Sequence, residues 1–168
     1  MKTIIIGFSR NKNNAIGSEL IQKFMGKPFS HTYFKFKEDL YKDYTIFHAI
    51  GKGLVYMSET TFLEHNLPIY QFEIQILDEL FNELMEDCHI NAGKHYGFMQ
   101  NIGIAIVRSL KKININITKN PFNEGINCSE WMYYILEEIY GKWTPVDPNL
   151  IAPDEVCDFL LARGMKCL

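Results

Sequence analysis

Asn127-Cys128-Ser129-Glu130-Trp131-Met132-Tyr133-Tyr134-Ile135-Leu136-Glu137-Glu138-Ile139-Tyr140-Gly141 is the stretch on which the reading of this chain turns. Trp131, Met132, Ile135, Leu136 and Ile139 recur at helical spacing, which predicts a helix over Cys128–Tyr140 with an apolar stripe in a core. Gly141 ends it. Asn127 is a preferred N-cap residue, and Glu130 stands three positions after it, as in a capping box. Cys128 therefore falls in the first helical turn. Free backbone N–H groups and the positive end of the helix dipole meet there. Both stabilise a thiolate and lower a thiol's pKa, and the same N–H groups can hold an oxyanion. This local pattern leaves two readings of Cys128 open: a reactive thiol, or a structural residue at a capped helix start.

Strand signals precede this helix. Residues 3–8 (Thr-Ile-Ile-Ile-Gly-Phe) read as a buried strand, residues 9–14 as a polar loop, and residues 15–25 as a helix stopped by Gly26-Lys27-Pro28. Residues 31–36, 44–50 and 54–57 read as strands, with Gly51-Lys52-Gly53 as a turn, and residues 68–76 as a fourth. Leu77, Leu80, Phe81, Leu84 and Cys88 mark one face of a helix that has Asp78 and Glu79 in its first turn. Residues 96–110 predict a more apolar helix. Residues 111–127 read as a polar connection. A last helix spans about residues 153–162, with Pro153 at its first position. Strands gathered in the first half and helices in the second predict an α+β domain, one unit over 1–168.

Composition narrows the function classes. The chain has 168 residues, 47% hydrophobic and 22% charged, with a formal net charge of −3. That is a globular composition, and the acidic balance argues against a nucleic-acid partner. No apolar run approaches the roughly 18 residues of a membrane span, so stable membrane insertion is not expected. The apolar opening is too short for a signal peptide, and a cytoplasmic location is the expectation. The four cysteines, Cys88, Cys128, Cys157 and Cys167, include no C-x-x-C pair and are expected to be reduced. Cys88 and Cys157 read as small buried hydrophobes, and Cys167 as part of a frayed end. No H-E-x-x-H, G-x-S-x-G or G-x-x-x-x-G-K-[ST] occurs. No cofactor and no metal is expected, although His31, His48 and Cys128 are together a conceivable zinc set.

A reactive thiol needs a base, and two of the five histidines lie in predicted strands. A symmetric hairpin centred on residues 39–40 sets Phe36 opposite Asp43, and so His31 opposite His48. Directly opposed side chains have Cβ atoms roughly 4.5–5.5 Å apart. Two neighbouring histidines fit a base and the partner that orients it. His65, His89 and His95 read as solvated surface residues.

These residues together resemble the circularly permuted NlpC-type papain-like proteins. The YiiX-like hydrolases belong to that group, and lecithin–retinol acyltransferase is a more distant member. The similarity lies in residues 4–10, in Phe29-Ser30-His31-Thr32 after the first helix, and in Asn127-Cys128-Ser129-Glu130. It extends to residues 93–98, where Tyr96 corresponds to a tyrosine near the site, and to Ile151-Ala152-Pro153-Asp154 at the closing helix start. The histidine strand comes before the cysteine helix, as in the permuted group. Many YiiX-like members carry a glutamate where this chain has His48, a choice closer to the acyltransferases and the ordinary NlpC-type enzymes.

The resemblance implies a small antiparallel sheet packed on helices, with the nucleophile at a helix N-terminus. It implies Cys128 as nucleophile, His31 as base and His48 as third member, with Tyr96 and Ser129 as accessory or oxyanion groups. The expected activity is a thiol hydrolase, an amidase or peptidase working through an acyl-enzyme and phage-borne or intracellular in setting. The alternatives are an acyltransferase or lipase on an acyl-lipid substrate, or a non-catalytic binding module on the same fold. The helix over 96–110 reads first as a core helix. Followed by Lys111 and Lys112, it also fits a surface that touches lipid.

Overall fold

The run of isoleucines near the start builds the central strand. In the computed structural model, which describes residues 1–13, 16–38, 42–122 and 124–168 and every side chain among them except those of residues 16 and 98, this strand is β1, Lys2–Asn11. It pairs antiparallel with β2 (His31–Phe36) on one side and β5 (Asn66–Ile76) on the other. β3 (Thr45–Ile50) and β4 (Gly53–Ser58) complete a five-stranded sheet in the order β4-β3-β2-β1-β5. The chain is α+β.

β1 runs further than its apolar residues suggested. Arg10 and Asn11, expected in a polar loop, pair with Leu67 and Asn66. Backbone pairing ignores side-chain polarity once a partner strand lies alongside. The register shifts between Phe8 and Ser9, beside Pro68, which has no N–H to give.

One face of the sheet is apolar. Ile4, Ile6 and Phe8 of β1, Phe34 and Phe36 of β2, Phe47 of β3 and Phe72 of β5 are buried there. The helices α3 (Asp78–Asn91) and α5 (Cys128–Tyr140) contribute Phe81, Leu84, Trp131 and Leu136 to the same cluster, with Leu160 from α6 (Pro153–Ala162). Trp131 meets Phe47 at 5.4 Å between ring centres, near edge-on. Each such side chain contributes about 1.5–3 kcal/mol by leaving water.

The opposite face is partly polar. Gly7 of β1 lies under Tyr33, and a methyl group there would collide with that ring. Phe62 packs on Tyr33 at 4.6 Å, and Lys35 pairs with Glu59. Glu59 and Phe62 belong to α2 (Glu59–His65), a helix absent from the sequence reading. Its start is legible afterwards, since Ser58 caps it by accepting from Thr61 N at 3.2 Å. The β-formers Thr60 and Thr61 hid that signal.

The remaining helices are α1 (Ile16–Met25) and α4 (Phe98–Lys112). α4 begins two residues later than expected. Tyr96 precedes it, in a parallel bridge with Ile126, and Gly97 N donates to Ile126 O at 3.1 Å. The connection that follows is held by the buried Asn120, whose Nδ2 donates to the carbonyls of Gln100 and Asn149 at 3.0 and 2.7 Å. The chain end is tied down too. Cys167 bridges Phe72, and Leu168 N donates to Gln71 O, because β5 is an edge strand with free partners.

Candidate active site

The N-cap of α5 is built as the sequence predicts. Asn127 Oδ1 accepts from Ser129 N at 2.9 Å, Ser129 Oγ at 3.0 Å and Glu130 N at 2.8 Å. The Glu130 carboxylate does not close the expected capping box: Oε1 accepts from the Tyr134 hydroxyl at 3.5 Å, and Oε2 has no hydrogen-bond partner among the described residues. Glu130 is buried, and this raises its pKa against the nearby polar groups of Gln100, Asn127 and Tyr134.

Both Ser129 donors thus reach the cap, and the same two groups also act on the Cys128 sulfur. Trp131 N donates to Asn127 O. Of the first-turn amides only that of Cys128 forms no hydrogen bond among the described residues. It is the donor left for an oxyanion.

Cys128 is 3% exposed. Burial pushes its thiol up, and polar groups of Thr32 and Ser129 oppose the rise without reversing it. The lowered pKa expected of a helix start is thus overturned in the resting protein, because the desolvation of a buried anion outweighs the dipole. Thr32 also fixes the helix to the sheet, with its Oγ1 donating to Cys128 O at 2.9 Å. Cys128 is in this way held against β2 at the residue after His31.

The two strand histidines meet. His31 Nε2 lies 3.0 Å from His48 Nδ1, with ring centres 5.2 Å apart and planes at 71°. The register is not the one expected. Phe34 pairs with Phe47 and Phe36 with Thr45, a slip of two residues from the symmetric hairpin, whose centre lies outside the described residues. A slip of two keeps every side chain on its face, so the histidines become diagonal neighbours instead of opposed ones. With Lys35 opposite Ile46 the β2–β3 ladder spans three pairs, and His31 and His48 lie past its end.

Both imidazoles are neutral near pH 7. Burial lowers His31 to about 4. His31 keeps some surface at solvent, whereas His48 is 3% exposed and falls to about 3 through burial and the nearby His31. The contact uses His31 Nε2, which leaves Nδ1 for another group. With the Nε2 proton donated to His48 Nδ1, His48 carries its own proton on Nε2, a buried atom with no hydrogen-bond partner.

Tyr96 lies close enough to Cys128 for the two to interact electrostatically. Burial, and then Cys128, raises its phenol. Its oxygen accepts from Asn101 Nδ2 at 3.0 Å, so the phenolic proton remains free to be donated.

Sequence reasoning missed two residues that hold this site. Thr32 is one. The other is Gln100, fully buried, whose Oε1 accepts from Asn127 Nδ2 at 3.0 Å while its Nε2 donates to Gly125 O at 2.9 Å. A glutamine inside an apolar helical stretch was its only signal.

Cys88 and Cys157 fit their expected places, whereas Cys167, expected in a frayed end, is paired with Phe72 of β5. Cys88 is buried and its pKa raised, and burial lifts Cys157 to about 11. Cys167 is exposed. Among the described residues no group of three His, Cys, Asp or Glu can hold a metal ion, His31, His48 and Cys128 included. No helix among them is long and apolar enough to cross a membrane. No protein-family model matches the chain, and no curated protein matches it.

Proposed function

We propose that this chain is a thiol hydrolase of the circularly permuted papain-like, NlpC-type architecture, cleaving an amide or peptide bond through an acyl-enzyme on Cys128. The observation that carries the reading is the 3.0 Å contact between His31 Nε2 and His48 Nδ1. In the tautomer that donates Nε2–H to His48, this contact leaves His31 Nδ1 unprotonated on the strand whose next residue, Thr32, holds Cys128.

His31 Nδ1 takes the Cys128 proton as the sulfur attacks the carbonyl carbon. Burial keeps the thiol protonated and the imidazole neutral at rest, so the proton moves during attack and no ion pair precedes it. The Cys128 N–H and the Tyr96 hydroxyl are the donors offered to the oxyanion. The tetrahedral species collapses, and the amine leaves with the proton held by His31. Water then gives a proton to His31 and attacks the thioester, which releases the acid and returns the thiol. Sheet alternation sets His31 and His48 on the Tyr33 face and Thr32 on the α5 face. No hydrogen bond joins His31 to Cys128 among the described residues, so the base role requires the proton to cross the end of β2, past the last β2–β3 pair, once substrate is bound.

A second reading, acyl transfer or lipid hydrolysis through the same thioester, is favoured by one observation. An apolar groove between α1 and α4 is lined in part by Asn101, the residue bonded to Tyr96.

The test is intact-protein mass spectrometry after exposure to activated amides and esters. The added acyl group should map to Cys128 and be absent in Cys128→Ser and His31→Ala. Acylation of His31→Ala at the wild-type rate removes His31 as base. A wild-type protein that no reagent acylates favours the non-catalytic module.

A further inference from the structure

Helix α4 and the segment after it leave aliphatic side chains in water. Met99, Ile102 and Ile106 form an exposed stripe on α4, and Ile113, Ile115 and Ile117 follow, with Ile113 64% exposed. Asn114, at φ 63°, turns the chain back over the end of the helix, where Ile115 N donates to Leu110 O at 3.0 Å. Exposed aliphatics gathered in one connected region mark an interaction site, whereas scattered ones do not.

The charges of this region are one-sided. Residues 98–122 contain no Asp or Glu and hold Arg108, Lys111, Lys112 and Lys119, in a chain whose formal net charge is −3. Arg108 is occupied by Asp154 and Glu155. Lys111, Lys112 and Lys119 form no ion pair among the described residues, and Lys112 Nζ lies 5.9 Å over the Phe24 ring of α1.

Between the two helices runs a groove of about 220 Å³, lined by Leu20, Ile21, Phe24 and Met25 of α1 and by Ile102 and Ala105 of α4, with Asn101 as its polar side chain. Leu20 at its rim is 66% exposed.

We propose that the α1–α4 face docks on the surface of an anionic phospholipid bilayer, with one acyl chain entering the groove toward Asn101. An aliphatic stripe beside unpaired lysines is the pattern of a helix lying in the membrane interface. The free cations match anionic headgroups, and no acidic residue on α4 opposes them. Glu19 is the one acidic residue in the sequences of α1 and α4, against Lys23, Lys111 and Lys112, so the face is net basic. Asn101 lies at the groove and also bonds Tyr96, beside Cys128, so a chain lodged here points its head toward the candidate site. The acyl-chain orientation rests on the proposed function, and the docking does not.

Cosedimentation with vesicles tests it. Phosphatidylcholine vesicles containing phosphatidylglycerol should carry the protein down at low salt, and pure phosphatidylcholine should carry less. Ile102→Asp with Ile106→Asp should weaken binding at least tenfold. Lys111→Glu with Lys112→Glu should weaken it by about fivefold per lysine on anionic vesicles only. Cys128→Ser should bind as wild type does, so the docking and the catalytic reading fail separately. Protein that stays in the supernatant, or aspartate variants that bind unchanged, overturn the proposal. So does a concentration-dependent dimer in sedimentation velocity that Ile102→Asp abolishes, because a second copy of the chain then covers the face.

Discussion

Helices α5 and α1 are both amphipathic, yet they are held in opposite ways. α5 buries eight of its 13 residues, and its cap makes three hydrogen bonds through one side-chain oxygen. α1 has no buried side chain among those described, and its apolar residues line a groove open to water. The contrast separates two uses of apolar residues. Around Cys128 they fix one geometry and exclude water. Along α1 and α4 they remain available to something else.

The sharpest way to break the comparison is Cys128→Ser. Turnover on an identified substrate should fall at least ~10³-fold, since a hydroxyl is far harder to ionise beside the same histidine. The melting temperature should shift by no more than about 1 kcal/mol of stability implies, because Thr32 and Ser129 can bond a buried hydroxyl. Loss of folding, or retained activity, makes Cys128 structural.

Next in size is a pH effect confined to the histidine pair. Both imidazoles have folded pKa values below the ordinary 6.5, so the unfolded chain binds more protons below that pH. Stability is complete above 6.5 and is lost as pH falls toward 4. From pH 7 to 5 the loss should be about 2 kcal/mol per histidine. His48→Phe should remove roughly half of it in urea titrations at the two pH values. An unchanged pH slope in that variant places the titration elsewhere.

Asn127→Ala should cost about 2–3 kcal/mol. It removes the cap and strands the buried Gln100 Oε1. Urea midpoints measure it, and a loss under 0.5 kcal/mol shows that α5 does not depend on its cap. At the other end of the scale, Leu20→Ser should change stability by no more than about 0.5 kcal/mol. A cost above 1 kcal/mol means that α1 is packed as firmly as α5, and the comparison collapses.

Much of the fold was legible in local pattern. β2 is His31–Phe36 and α5 is Cys128–Tyr140, as read, since alternation, periodicity and capping act over a few residues. The histidine pair was also legible, for a partly accidental reason. The assumed register was wrong by two residues, and a two-residue slip preserves the face. A slip of one would have parted the rings.

What the sequence by itself determined is whatever adjacent residues decide among themselves: an α+β order of elements, a capped helix start at Cys128, and two histidines facing the same way on neighbouring strands. What only the tertiary structure decided depends on groups far apart in the chain. Thr32 and Cys128, 96 positions apart, are joined by one hydrogen bond. Gln100 supports Asn127 from 27 positions away. The thiol's pKa is raised instead of lowered, because helix position can be read from neighbours and burial cannot. Desolvation is set by everything packed around a group, and no local pattern records it.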